Sequence, residues 1–381
     1  MRLFYLVNAR IPTEKAHGLE AMKLCEALSE YFSVEMIAAR RFNPIKDDPF
    51  SYYSVKKNFE IKRLPVIDAI ALPWLGRLAF WIEATTFSFS CFFYLLFNSK
   101  DDDIIFSHEN APLLSASIIR KNTFYDIHDF PVHGLFWYKL LFNRSFGLVT
   151  TNNWKKDALI KQFNIFPDKI VVQPNGVEMK EFDININKQE ARRKLDLPQD
   201  KKIVLYTGFF YGWKGVDTLT AAGAFLDDSY RVYLVGGAPS HIEEFKKRFS
   251  EISNLVFIGQ RPHQEIPLWL KAADVLVIPN TAKEDISKYF TSPMKLFEYM
   301  ASKVPIVASD VPSIHEIVNN VMVTFFEPDN AQSLAQVIKN VISQGDESSK
   351  KAVAAHQEVQ KYSWSARAQK IFDFIQGRTT I

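Results

Sequence analysis

Short apolar runs alternate with longer amphipathic stretches along almost the whole chain. In the first half, LFYLV (3–7), VEMIAA (34–39), IIFS (104–107), TFYDI (123–127), FGLVTT (146–151) and IVVQPNGV (170–177) read as strands. These runs are continuous rather than alternating, which predicts strands buried on both faces and hence a parallel sheet. Between the first two, residues 17–31 place Leu19, Met22, Leu24, Ala27 and Leu28 at helical spacing. From 178 to 202 the chain turns polar and charged, which predicts a domain over 1–180 and an interdomain connection over 181–201. A second series, over 202–363, has strands at 202–208, 231–237, 255–260, 275–280 and 305–310. A last helix within 364–381 is expected to pack back on the first domain. The pattern predicts an α/β chain of two Rossmann-like, doubly wound parallel-sheet domains. Ligands of such sheets sit beyond the carboxyl ends of the strands, so two domains facing across a cleft would share a site there.

One stretch departs from this rhythm. Residues 78–97 (LAFWIEATTFSFSCFFYLLF) carry a single charge, Glu83, over nearly the length of a membrane span. Glu83 and the polar Thr85, Thr86, Ser88 and Ser90 favour a helix buried against a sheet, with or without one face against lipid. Basic and aromatic residues gather nearby: Arg40, Arg41, Lys56, Lys57, Lys62, Arg63, Trp74, Arg77 and Trp81. With 78–97 they form either an ordinary charged surface or a patch for anionic lipid.

The length of 381 residues suits two domains, and a net charge of +3 excludes a general polyanion or nucleic-acid binder. Cys25 and Cys91 offer neither a disulfide framework nor metal spacing, which fits a reducing cytoplasm. The opening MRLFYLV has one early basic residue and a short apolar run, expected of a first strand rather than a signal peptide.

The candidate chemistry concentrates in 292–316, SPMKLFEYMASKVPIVASDVPSIHE. Ser292 and Pro293 form a turn, and MKLFEYMAS reads as a helix. The N–H groups of Met294 and Lys295 then point out of a helix start, a ready anion site. Glu298, one turn further in, is placed to accept hydrogen bonds from sugar hydroxyls such as a ribose diol. Phosphate donors beside a hydroxyl-reading carboxylate point to a nucleoside diphosphate.

Three segments resemble the retaining glycosyltransferases of GT-B fold, family 4: YTGFFYGWKGVDTL (206–219), the 292–316 segment, and NARIPTEKAHGLEAMKLCEAL (8–28). The resemblance spans nearly the whole chain. It implies transfer of a hexose-type sugar from a nucleotide-diphosphate sugar to a saccharide or lipid-linked acceptor, with no metal or other cofactor. It makes Lys214 the residue that contacts the donor pyrophosphate and places His128 at the reacting centre. It implies a Gly-rich donor loop at Gly208, close ligand approach at Gly18 and Gly237, and a base near Gln260 and Arg261. The donor set is thus Gly18, Gly208, Lys214, Gly237, Arg261, Ser292, Pro293, Met294, Lys295 and Glu298. His108, Glu109 and Asp129 are weaker candidates for the acceptor side, and Asp129 is also placed to cap the next helix. His128, Asp129 and His133 match no metal-ligand spacing.

Two positions depart from the family pattern. Phe209 stands where an arginine is usual, five before Lys214. Phe290 stands where a first glutamate is usual, eight before Glu298. The missing arginine leaves pyrophosphate charge to Lys214, the helix amides and Lys295. The missing glutamate leaves Tyr289, Thr291 or Ser292 to hold the sugar. A catalytically silent partner subunit and a nucleotide-sugar epimerase remain as alternatives. The location expected is the cytoplasm, with or without attachment to the inner face of the membrane.

Overall fold

The structure, a computed structural model, describes residues 1–71 and 73–379. It forms two compact units: Met1–Pro174 together with the helix that begins at Trp364, and Asn175–Ser363. The last two positions of the segment 364–381 lie outside the described residues.

The first unit holds a seven-stranded sheet. Its strands are β1 (Arg2–Val7), β2 (Ser33–Arg40), β3 (Glu60–Pro65), β4 (Ile104–Ser107), β5 (Thr123–Ile127), β6 (Gly147–Thr150) and β7 (Ile170–Val172), in spatial order β3-β2-β1-β4-β5-β6-β7. Every pair is parallel, with Leu3 opposite Val34 on one side and Ile104 on the other. β4, β5 and β6 are buried along their whole length, as continuous apolar runs require. β3 is absent from the sequence-based expectation for a physical reason. It is an edge strand, EIKRLP, that buries only Leu64, so it shows no apolar run. The expected strand over 170–177 ends at Val172. Val177 belongs to the second unit, where its N–H donates to Tyr362 O at 2.9 Å.

The second unit holds a six-stranded parallel sheet. β8 (Lys202–Thr207), β9 (Tyr230–Val235), β10 (Leu255–Gly259), β11 (Val275–Ile278), β12 (Ile306–Ser309) and β13 (Thr324–Phe326) lie in the order β10-β9-β8-β11-β12-β13. Val204, Leu234, Val277 and Val307 pack on one face. Their chain neighbours Leu205, Val235, Ile278 and Ala308 pack on the other, the period of two that a strand imposes. β13 is too short to read as a run.

The polar stretch at 181–201 is not a bare connection. It carries the helices Met179–Phe182 and Lys188–Lys194, and it buries Phe182, Ala191 and Leu197 in the second unit's core. Arg192 is buried there too, because its guanidinium meets Asp274 at 2.6 Å and donates to Ala272 O at 2.9 Å. A charged residue reads as surface until its partner is known.

The apolar stretch forms the helix Gly76–Asn98. Its inner face buries Ala79, Glu83, Ala84, Phe87, Cys91 and Leu95, against β3 and the helix Asn110–Ala116. Its outer face exposes Leu78, Trp81, Phe89, Phe93 and Phe97, the last at 80%. Trp81, Phe89, Phe93 and Phe97 recur at multiples of four and share one stripe. Among the described residues this is the one helix long and apolar enough to cross a membrane, with a mean hydropathy of 1.4 over its most apolar window.

Candidate functional site

In each sheet the strand order reverses once, between β1 and β4 and between β8 and β11. The crevice outside the carboxyl ends at such a switch point is where open α/β sheets bind ligands. The candidate residues collect at these two places.

In the second unit β8 ends at Thr207 and Gly208 follows with φ +127°. A Cβ on Gly236, at the end of β9, would collide with the Gly208 carbonyl, so the backbones touch. The loop then stacks Phe209 on Tyr211, with ring centroids 5.6 Å apart and planes 10° off parallel. One turn, Gly212–Lys214, closes at Gly215 (φ +66°), where Pro279 O occupies the place of a Cβ. This turn sets Lys214 Nζ 5.2 Å from the ring centroids of both Tyr211 and Trp213, within cation–π range. Burial lowers the Lys214 ammonium to about 8, with Glu298 acting in the opposite sense.

The second part of this site is the helix Met294–Ala301. Pro293 is its N-cap, in extended conformation, one residue earlier than a first-turn proline. Ser292 is held from behind, since Asn175 Nδ2 donates to its carbonyl at 3.0 Å. Met294 and Lys295 contribute N–H groups of the kind a helix start leaves without intrahelical partners. Lys295 is half-buried, but its ammonium is buried and has no hydrogen-bond partner. It lies 3.6 Å from the Tyr206 ring centroid and beside Gly208. Burial, together with the Lys214 charge, holds Lys295 well below the usual lysine range. Two lysines thus face one carboxylate, Glu298, which leaves room for an anion. Glu298 itself lies 2.9 Å from His263 Nε2, and Glu181 stands 4.0 Å from the other ring nitrogen.

The remaining donor candidates fall elsewhere. The space beside Gly237 is filled by the Phe210 ring, and Arg261 is exposed in the loop after β10. In the first unit, the place of a Cβ on Gly18 is taken by Thr13 and Tyr53, so this glycine serves packing rather than ligand approach. Tyr53 accepts from Thr13 N and donates to Thr13 O, which locks that corner.

The first unit presents a pocket of about 980 Å³ beyond β1, β4 and β5. His108, Glu109, His128 and Asp129 all line it. Asp129 does not cap the following helix, Leu135–Arg144, whose N-cap is Gly134. His128 Nε2 lies 3.2 Å from both Glu20 Oε1 and Asp126 Oδ2. Asp126 is fully buried and also meets the Arg367 guanidinium at 2.7 Å. Burial pushes its carboxyl up, but Arg367 and His128 outweigh this and hold it far below the usual carboxylate range. Lys155 fixes the end of β5, donating to Ile127 O at 2.9 Å, His128 O at 2.5 Å and Thr151 Oγ1 at 2.9 Å. Its burial lowers it to about 8. Beside this group, His108 Nε2 faces Glu109 at 3.4 Å while Nδ1 bonds Tyr5 OH at 3.1 Å. Burial lowers His108, but Glu109 overrides it and the net shift is upward.

Glu20, Asp126 and His128 bring one ligating atom each within 4.8 Å of one another. Asp126 Oδ2 is already engaged by Arg367, so the group reads as an ion-pair network around a histidine. Asp126, Lys155, Arg367 and His263 escape sequence reading because each is defined by a partner distant in the chain. Asp126, two before His128, is the one whose position offered a signal.

Residues 201–344 match the family described as glycosyl transferases group 1. An uncharacterized glycosyltransferase of Methanocaldococcus jannaschii, MJ1607, is 28% identical over 58% of this chain and 58% of its own. A D-inositol 3-phosphate glycosyltransferase of Corynebacterium aurimucosum is 25% identical over 61% of this chain and 57% of its own. The matched stretches cover 40% to 63% of the lengths of these and similar relatives. Among solved structures, Anabaena HepE in complex with UDP and glucose superposes with a TM-score of 0.75 at 18% identity, over 99% of both chains. That likeness shows the fold along the whole chain. Over residues 201–344 the chain is thus similar to the group 1 glycosyltransferases, and both of its units have the architecture of the GT-B fold.

Proposed function

We propose that this protein is a retaining, metal-independent glycosyltransferase. It moves a hexose-type sugar from a nucleotide-diphosphate sugar to a saccharide or lipid-linked acceptor in cell-surface polysaccharide or glycoconjugate synthesis. One observation carries this: Lys214 and Lys295, whose buried ammonium has no hydrogen-bond partner, share a single counter-charge, Glu298, at the start of a helix. When the bond between the anomeric carbon and the phosphate oxygen breaks, negative charge grows on the leaving nucleoside diphosphate. Two ammonium groups and the helix-start amides are placed to stabilise that charge without a metal ion. Lys295 then supplies the cation that Phe209 does not. Glu298, oriented by His263, accepts from the ribose diol. In solved structures of HepE the ligands are UDP and UDP-glucose, which makes UDP-sugars the first donors to try.

His128 and its carboxylates belong to the acceptor pocket, where they position the attacking hydroxyl. The exposed stripe Trp81, Phe89, Phe93 and Phe97, with exposed Arg77 and Lys62 nearby, supports attachment to an anionic membrane surface from the cytoplasm and a lipid-linked acceptor. Calorimetric titration with UDP-, GDP- and ADP-sugars tests the donor part. Saturable binding of one series is expected, and binding of none would favour the silent-subunit alternative.

A further inference from the structure

The pocket of the first unit is lined by acids and bases that are unequally used. Arg10 donates to both oxygens of Glu14 at 2.6 Å. Arg41 lies 3.3 Å from Asp68 and 3.7 Å from Glu83. Both guanidinium groups on the wall are therefore already neutralised, and the lysine of the lining, Lys15, is exposed to solvent. What remains unsatisfied there, apart from His128 Nε2, is of one kind. Asn8 Oδ1, Glu20 Oε1 and Glu83 Oε1 are buried acceptor atoms that receive no hydrogen bond, although Glu20 Oε1 lies 3.2 Å from His128 Nε2 and Glu83 Oε1 3.7 Å from Arg41 Nε. The Asn8 amide is not free to turn, because its Nδ2 donates to Glu83 Oε2 at 3.1 Å. Glu83 is 1% exposed. Buried acceptors call for a ligand that brings O–H or N–H donors. A phosphate or carboxylate would bring further acceptors and a like charge. The same wall carries Phe42, Ile70 and Phe80, all exposed. Phe80 belongs to the Gly76–Asn98 helix, whose outer stripe is apolar.

We infer that the acceptor is an uncharged, hydroxyl-rich saccharide whose aglycone is apolar, and not a sugar phosphate or uronate. This rests on the transferase reading and narrows it. It also separates the chain from relatives named for D-inositol 3-phosphate, an anionic acceptor.

The test uses the full chain and three matched probes below their micelle concentrations: octyl glucoside, octyl glucuronide and octyl glucoside 6-phosphate. Binding is read by saturation-transfer NMR, and UDP-, GDP- and ADP-sugar binding is measured in parallel. Octyl glucoside is expected to bind at least ~10-fold tighter than either anion, the scale of a like-charge penalty. Glu14→Ala, which frees Arg10, is expected to cut that preference to under ~3-fold by restoring a cation for the anionic probes. Adsorption of the octyl chain to the apolar stripe would not respond to Glu14→Ala. Equal or tighter binding of the anionic probes to the wild-type chain overturns the inference. Binding of none of the three, with nucleotide-sugar binding intact, overturns the acceptor class and leaves the transferase reading standing. Loss of nucleotide-sugar binding would instead remove that reading itself.

Discussion

His263 Nε2 lies 2.9 Å from Glu298 Oε1, across 35 residues of chain. His263 sits in the turn after β10 and Glu298 in the helix Met294–Ala301. The imidazole therefore fixes the carboxylate that is assigned to the ribose. A hydrogen bond to a charged group is worth about 1.5–3 kcal/mol. His263→Ala is expected to raise the donor KM by roughly 10- to 100-fold with little change in kcat, which corresponds to that energy. His263→Gln, which keeps a donor, should recover part of the loss. A fall in kcat with KM unchanged would contradict a positioning role.

Donor affinity should fall as pH rises through about 8, the value to which burial lowers Lys214. Below that pH the ammonium is ready to pair with pyrophosphate, and above it the site must first take up a proton. Calorimetry at one pH in buffers of different ionisation enthalpy should show that uptake. The same shift acts on stability in a defined direction. Between about 8 and the unfolded lysine value near 10.4 the unfolded chain binds more protons, so this group favours folding more as pH rises. A donor affinity unchanged between pH 7 and 9 would refute the role given to Lys214.

Arg367 and Asp126 form an ion pair with both side chains almost fully buried. Removing one partner leaves the other charge unpaired, which costs about 3–5 kcal/mol. Arg367→Met is expected to lower the denaturant midpoint clearly, and Asp126→Asn should do so by a similar mechanism. A double variant that costs no more than one single variant would show coupling. Unchanged midpoints would mean that the pair does not tie the Trp364–Thr379 helix to β5.

Vesicle flotation tests the apolar stripe. The wild-type chain should float with vesicles rich in anionic lipid at low salt and less at moderate salt, because the basic flank is screened. Replacing Trp81, Phe89 and Phe93 by Ser should abolish flotation while donor binding persists. Equal flotation of wild type and triple variant would separate the stripe from any lipid contact.

The βα rhythm of both halves was legible in the sequence because parallel strands are buried on both faces and leave apolar runs. β3 was not, since an edge strand with one buried residue leaves no such run. The stretch 181–201 read as a linker because Arg192 looks solvated until Asp274 is placed beside it. Lys214, Lys295 and Glu298 were legible through local motifs on one loop and one helix. The network around His128 was not, because Glu20, Asp126 and Arg367 converge only through tertiary packing. Gly18 and Gly237 were glycines for internal reasons, the Tyr53 corner and the Phe210 ring, which no spacing announces.

The central claim is transfer that depends on the two lysines and Glu298. The most direct measurement is acceptor-dependent release of nucleoside diphosphate from the preferred nucleotide sugar, compared between wild type, Lys214→Ala and Glu298→Ala. The account predicts that wild type turns over and that Lys214→Ala loses about 100-fold or more, the scale of removing a preorganised charge from the leaving group. Glu298→Ala should lose most of its activity through KM. Wild-type rates in both variants, or no release by wild type with any UDP-, GDP- or ADP-sugar, would contradict it.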